Sequence, residues 1–303
     1  MEENKINLLA IETTGAKASA ALIHEDGRLA LRESDETMNH LQNLIPMLEA
    51  LLADCGLTID DVTAIAVSEG PGSFTGIRIG MATAKALAQV LSVPVIGVPT
   101  LESFAYHVPE SDGLICPIFD ARRSQVYGGV YRWEKGVCRS MAPDGAYDVP
   151  EYLELLQAAV LTLWEEAESV PGVKQMKITL FGDGIKLYGQ EIEKAMRDWN
   201  SGTDRLSEKG DFTWKVAEEA NRLQSAASVA RLGLRLLKEG KAKSLFDLHP
   251  VYLRKAEAQR KLDEAQGKGG EKPSRQAEEA GGLAGEPLPE GDCLCKAGNG
   301  AAE

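Results

Sequence analysis

Gly70-Pro71-Gly72-Ser73-Phe74-Thr75-Gly76-Ile77-Arg78-Ile79-Gly80 joins two segments of opposite character. Before it runs Val62–Val67, short, apolar and β-branched, as a buried strand is. After it comes the Ala-rich run Met81–Leu91, which reads as helix. The stretch is therefore a strand–turn–helix junction. Gly70 and Gly72 permit backbone angles that other residues avoid, and Ser73 is placed to cap the new helix. Such a junction is either a tight turn or a backbone cradle for an anion at a helix N-terminus. The residues alone leave both readings open.

The 303 residues suggest about two domains, and a hydrophobic content of 44% is enough for real cores. The longest apolar stretches, such as Val93–Leu101, are too short and broken to span a bilayer. Met1-Glu2-Glu3-Asn4 is acidic and polar, so no secretory signal is expected ahead of the first strand. Five scattered cysteines argue against a disulfide framework and for a reducing cytosol. A net charge of −13, with no run of Lys or Arg, argues against holding nucleic acid unaided.

The first hundred residues parse as β-β-β-α-β-α-β. Strands are expected at Ile6–Thr13, Ala18–His24 and Arg28–Ser34, the last two joined by the hairpin signal Glu25-Asp26-Gly27. A helix over 37–55, a strand over 62–67, a helix over 73–91 and a strand over 93–98 follow. The pattern recurs. Leu114–Phe119 ends in Asp120 and turns through Ala121-Arg122-Arg123 into Gln125–Tyr131, as Leu8–Ile11 ends in Glu12 and turns through Thr13-Thr14-Gly15. Ile178–Phe181 then meets Gly182-Asp183-Gly184 and a helix, as Ile65–Ser68 meets Gly70-Pro71-Gly72 and a helix. Two units with strand-end carboxylates facing a cleft describe an α/β, duplicated actin-like two-domain fold (the ASKHA, RNase H-like class). In that fold the strand turns hold phosphates. The units are assigned as 1–108 and 109–256, with the last helix of the second able to pack back on the first. Residues 257–303 lack the apolar content to offset the entropy of ordering and read as a disordered polar tail.

Chemistry finds few candidates. His24, His40, His107 and His249 are far apart and form no metal-ligand pair, so no metal is expected. Neither a nucleophile elbow nor a Walker A lysine occurs. Cys55 and Cys116 sit in apolar runs as packing, and Cys293-Leu294-Cys295 has the wrong spacing for a zinc knuckle. Glu12 and Asp120 remain, either as a metal–water or phosphate-positioning pair or as caps of their own turns. An actin-like ATPase or small-molecule kinase using these two residues is the alternative function.

The helices point elsewhere. Leu41, Leu44, Leu48 and Leu51 recur along 37–55, widened by Met38, Ile45 and Leu52 into a face broader than one sheet needs. Gly76, Gly80, Ala84 and Ala88 make a smooth stripe along the next helix, where another backbone can come close. Together the two helices are expected to form half of a bundle completed by another subunit.

Ser68–Gly80 closely resembles the signature of the TsaB (YeaZ) family of tRNA threonylcarbamoyladenosine synthesis. Leu9–Thr14, Leu44–Leu48, Pro94–Leu101, Asp120–Arg123 with Val126-Tyr127, and Pro250–Arg254 match it in the family's order, from about residue 5 to 255. Glu12, where the family usually has aspartate, and Gly15, where a small hydroxyl residue is common, depart from it. The resemblance implies an actin-like fold without the metal-binding histidines of the catalytic paralogue TsaD. It implies pairing with TsaD through the two N-terminal helices, joined by the ATPase TsaE. That assembly moves a threonylcarbamoyl group from its adenylate to N6 of adenosine-37 in tRNAs reading codons that begin with A. The chain itself would be a non-catalytic, cytoplasmic scaffold that meets tRNA only through the complex and forms a homodimer when alone. No tightly bound cofactor is expected, ATP or ADP entering only at the level of the complex. Glu12, Thr13, Thr14, Gly70, Gly72, Ser73 and Asp120 would then be a vestigial nucleotide site.

Overall fold

The computed structural model describes residues 5–34, 40–167, 175–201 and 211–254. The first strands, β1 (Asn7–Glu12), β2 (Ser19–His24) and β3 (Leu29–Glu33), form an antiparallel meander. Its second turn is closed by Gly27 at φ +87° and by Asp26 Oδ1 accepting from Arg28 N at 3.0 Å. Two crossovers follow: α1 (His40–Asp54) leads to β4 (Ala64–Gly70), and α2 (Phe74–Leu91) to β5 (Val95–Pro99). Both added strands run parallel to β1. Strand β4 runs past the expected Val67 because Ser68 and Gly70 still pair with Val98 and Pro99. A short helix α3 (Thr100–Ser103) and a 3-10 turn at Phe104–His107 lead out of this unit.

The second unit repeats the first. A meander of β6 (Leu114–Arg122), β7 (Gln125–Glu134) and β8 (Val137–Asp148) is followed by α4 (Val149–Ala167), β9 (Gln175–Phe181), α5 (Ile185–Asn200) and β10 (Asp211–Val216). The sheets have the orders β3-β2-β1-β4-β5 and β8-β7-β6-β9-β10, so every strand has a counterpart with the same neighbours and directions. The duplication read from the turns is real, and the fold is the expected α/β, duplicated actin-like one.

Three apolar clusters hold it together. Leu9, Ile11, Ile65 and Val67 pack under α1 and α2 on one face of the first sheet. Cys116, Ile118, Val130 and Ile178 pack under α4 and α5 on the second. Between the sheets lies a shared core of Leu8, Ala66, Ile96, Val98, Phe104, Phe119, Tyr131 and Phe181. The Phe104 ring is 5.1 Å from Phe119 and 5.7 Å from Phe181, so one aromatic residue of the connector touches two strands of the second sheet.

After the short α6 (Glu219–Arg222), helix α7 (Ala226–Lys238) leaves the second sheet and lies on the first. Ser225 caps it, and Ala226 N donates to Ser19 Oγ on β2 at 2.9 Å. A Cβ at Gly233 would sit 2.7 Å from Ala66 Cβ, which is how close helix and sheet have come. The chain then runs along the edge of β5, where Lys243 N donates to Val95 O at 2.9 Å. No helix among the described residues is long and apolar enough to cross a membrane. The tail expected at 257–303, with Cys293 and Cys295, lies outside the described residues.

Candidate functional site

Strand β1 ends in Glu12, whose side chain is wholly buried. Its Oε1 accepts from Thr14 N at 2.5 Å and Thr14 Oγ1 at 2.6 Å, and its Oε2 accepts from Ser68 Oγ on β4. Burial pushes the carboxyl above its ordinary value, and the bonds from Ser68 and Thr14 pull part of the way back. Oε1 is directed at the turn that follows β1, and Oε2 at the neighbouring strand β4. The capping reading of Glu12 thus describes what the side chain does here.

The signature turn closes onto the same place. Gly70 and Gly72 have φ of +114° and +157°, which side chains rarely adopt. Ser73 caps α2 as expected, its Oγ accepting from Gly76 N at 3.2 Å. Ser73 N donates to Thr14 O at 2.8 Å, and Thr13 Oγ1 donates to Gly76 O at 2.7 Å. A Cβ on Gly72 would meet Thr14 Cβ at 2.6 Å. Two of the amides that a helix N-terminus would offer an anion, those of Ser73 and Gly76, are engaged within the chain. Of the two readings of this junction, the tight turn accounts for more of its bonds.

The second turn is built differently. Asp120 Oδ1 accepts from Arg122 N at 2.8 Å and Tyr188 OH at 3.5 Å, and its Oδ2 pairs with Arg122 at 3.3 Å. Asp120 N donates to Asp183 Oδ1 at 3.1 Å. The carboxyl of Asp183 is pushed up, first by desolvation and then, after the bond from Asp120 N pulls it back, by the charge of Asp120. Glu12 and Asp120 are each bonded to groups of their own unit. Among the described residues no group of three or more His, Cys, Asp or Glu side chains is disposed to hold a metal ion. Asp183 and Tyr188 were not singled out from sequence. The match of Gly182-Asp183-Gly184 to Gly70-Pro71-Gly72 puts the first of them in a turn but sets Pro71 opposite Asp183, so it gives the carboxylate no role.

The helical faces need correcting. The stripe Gly76, Gly80, Ala84 and Ala88 does admit a close backbone, but it is the chain's own: a Cβ at Gly76 would clash with Thr13 O and lie 3.0 Å from Thr13 C. One at Gly80 would strike Thr13 Oγ1. Ala84 and Ala88 are buried against the first sheet, as are Leu44, Leu48, Leu51 and Leu52 of α1. The reason is that α1 lies across β2 and β3 and α2 across β4, so the chain's own sheet covers the inner side of both helices. Ile45 alone of the described stripe is open, at 46% exposure, and the Leu41 side chain lies outside the described residues.

What faces outward is offset by about two positions. Along α2 the residues Phe74, Arg78, Ala82, Ala86 and Val90, each four from the last, are exposed, Val90 at 82%. Beside them Ile45, Leu48, Leu52, Leu57, Ile59 and Leu87 line an apolar groove of about 320 Å³ between α1 and α2.

Comparison with known proteins fits this geometry to one family. A family profile described as "TsaD: tRNA N6-adenosine threonylcarbamoyltransferase" matches residues 35–262. The "tRNA threonylcarbamoyladenosine biosynthesis protein TsaB" of Bacillus subtilis is 34% identical over 261 residues, covering 86% of this chain and 100% of that protein. The chain belongs to the TsaB family. The TsaB protein of Escherichia coli is 27% identical, with 85% of this chain and 98% of that protein covered. Among solved structures, "YeaZ from Pseudomonas aeruginosa" matches with a TM-score of 0.57 at 25% identity, over 82% of this chain and 100% of that one. The TsaB resemblance carried by Ser68–Gly80 therefore extends through both units.

Proposed function

We propose that this chain serves tRNA threonylcarbamoyladenosine biosynthesis as a non-catalytic scaffold, working with TsaD and TsaE homologues. The assembly would pass the threonylcarbamoyl group from its adenylate to N6 of adenosine-37 in tRNAs reading codons that begin with A. The observation that carries the reading is the match, over 86% of this chain, to a protein named for this pathway, in a chain whose strand-end carboxylate Glu12 is bonded to Thr14 and Ser68. Tight binding of a cofactor by this subunit alone is not part of the proposal. ATP or ADP enters at the level of the complex, and tRNA is gripped by the assembly, as suits a chain of net charge −13. The partner surface is the outward side of α1 and α2, centred on Ile45, Ala82, Ala86 and Val90. Alone, the chain would pair with a copy of itself through the same surface.

An interface of ordinary size buries about 1,600 Å² in total. A buried arginine or glutamate without a partner at its centre removes most of the affinity. The test is co-expression with TsaD and TsaE homologues followed by size-exclusion chromatography. Wild type should co-elute with TsaD, while Ile45→Glu and Ala86→Arg should fold, melt within about 0.5 kcal/mol of wild type, and elute alone. Co-elution of both variants would refute this surface. Mg²⁺-dependent ATP turnover by the pure protein, lost in a Glu12→Gln, Asp120→Asn double variant, would refute the scaffold reading.

A further inference from the structure

Pro250-Val251-Tyr252-Leu253-Arg254 matched the family pattern without any role attached to it. In the structure each residue from Val251 to Arg254 is anchored to a different part of the fold. Val251 N donates to Glu69 O at 2.7 Å, and Val251 O lies where Gly70 leaves no room for a Cβ. Tyr252 OH accepts from Arg78 Nε at 3.1 Å, and its ring is 5.1 Å from Phe74, over which the Arg78 guanidinium sits at 3.9 Å. Leu253 is buried in the core that the two sheets share. Arg254 donates to Ala121 O and, at 3.3 Å, to Arg122 O in the β6–β7 turn.

The approach to this segment is fixed too. Lys243 Nζ pairs at 2.8 Å with Glu69, whose side chain is buried, and Leu248 is buried beneath α1 and α2. Lys243, Leu248, Val251 and Tyr252 are thus anchored on the first unit, Leu253 in the shared core and Arg254 on the second unit. The turn gripped by Arg254 is unusual: Arg122, Arg123 and Ser124 have φ of +65°, +55° and +61°, a left-handed run without glycine. Such a run persists only where its surroundings over-determine it. A guanidinium nitrogen on the carbonyl of Arg122, and on that of Ala121 just before the run, is one such determinant.

We propose that Val251–Arg254 is a latch that fixes the first strand turn, at Glu69–Ser73, to the second, at Asp120–Ser124, so that opening one end loosens the other. Arg254 is its positioning residue on the second unit. The proposal rests on these contacts and not on the TsaD partnership.

The test is amide hydrogen exchange on the full chain, comparing Arg254→Ala with wild type. A latch predicts that the amides of Val251 and Ser73, both bonded to carbonyls of the first unit, exchange about tenfold faster in the variant, as for loss of one charge-assisted bond. Amides of α4 should keep their wild-type rates. Faster exchange confined to 120–126, with Val251 and Ser73 unchanged, would overturn the latch and leave Arg254 a local brace. If Arg254→Ala does not fold, Arg254→Lys keeps the charge but loses the planar guanidinium whose one nitrogen holds both carbonyls. It should speed the Val251 amide less than tenfold but measurably, and a wild-type rate there would overturn the proposal.

Discussion

Replacing Gly76 by alanine tests whether the small-residue stripe of α2 belongs to the chain itself. On an open helix face this substitution stabilises by about 1 kcal/mol, because glycine is the poorer helix former. Here the new Cβ would overlap Thr13 O and lie 3.0 Å from Thr13 C, and the carbonyl is main chain, with no rotamer to retreat into. Clearing it means moving the end of β1 by more than about 1 Å, which strains the Thr13 Oγ1 bond to Gly76 O and the Ser73 N bond to Thr14 O. Overpacking of this kind costs about 1–3 kcal/mol, occasionally more. With the backbone contacts added, Gly76→Ala should destabilise by about 2–3 kcal/mol. For a chain of this size that is a fall in Tm of roughly 5–10 °C. Gly80→Ala should cost less, since the atom it strikes is a hydroxyl that can rotate. Urea titration followed by circular dichroism measures both, with m-values checking that the transition stays cooperative. A Gly76→Ala protein as stable as wild type, or more so, would refute the packing argument and return the stripe to the outer surface.

Two titrations carry further predictions. Glu12 has its folded-state pKa raised by burial, so the stability it contributes is fully present below its ordinary value of 4.5 and is lost as pH rises through the folded value. Glu12→Gln keeps an oxygen for Thr14 and offers an amide to Ser68 Oγ. It should therefore gain on wild type from pH 4.5 towards 8, and parallel stability–pH curves would contradict this. His107 behaves oppositely: burial first, then Arg231, lowers it from 6.5 to about 4, and its Nε2 has no hydrogen-bond partner among the described residues. Its contribution is full above pH 6.5 and lost as pH falls towards 4. His107→Phe, set between Phe104 at 5.1 Å and Phe181 at 6.3 Å, should remove that part of the acid loss, so that its margin over wild type widens as pH falls. Equal acid sensitivity in urea titrations at pH 7.5 and 4.5 would show the ring to be uninvolved.

Much of the fold was legible because its signals are local. Glycine turns, a hairpin Asp-Gly and strand-end carboxylates are each read within a few residues, and their recurrence in the same order disclosed the duplication. The face of a helix is legible too, but not its neighbour. Gly76, Gly80, Ala84 and Ala88 have one periodicity whether the approaching backbone is foreign or is that of Thr13. Likewise the breadth of the Leu44–Leu52 face reflected the reach of the first sheet, leaving Ile45 as its open margin. The role of Glu69 was illegible for another reason. Its partner Lys243 lies 174 residues away, and no pattern within either segment refers to the other.

The return of α7 to the first sheet has a consequence for biogenesis. A ribosome that has delivered β1 to β5 has built a sheet whose one side can already be covered by α1 and α2, while the other waits for Ala226–Lys238. Through the synthesis of the entire second sheet, Leu8, Ala66 and Val98 still lack α7, whose Gly233 comes to lie against them. The nascent N-terminal half is thus the stretch that a chaperone would find sticky, and a truncation before α7 would yield an aggregating fragment rather than a minimal domain.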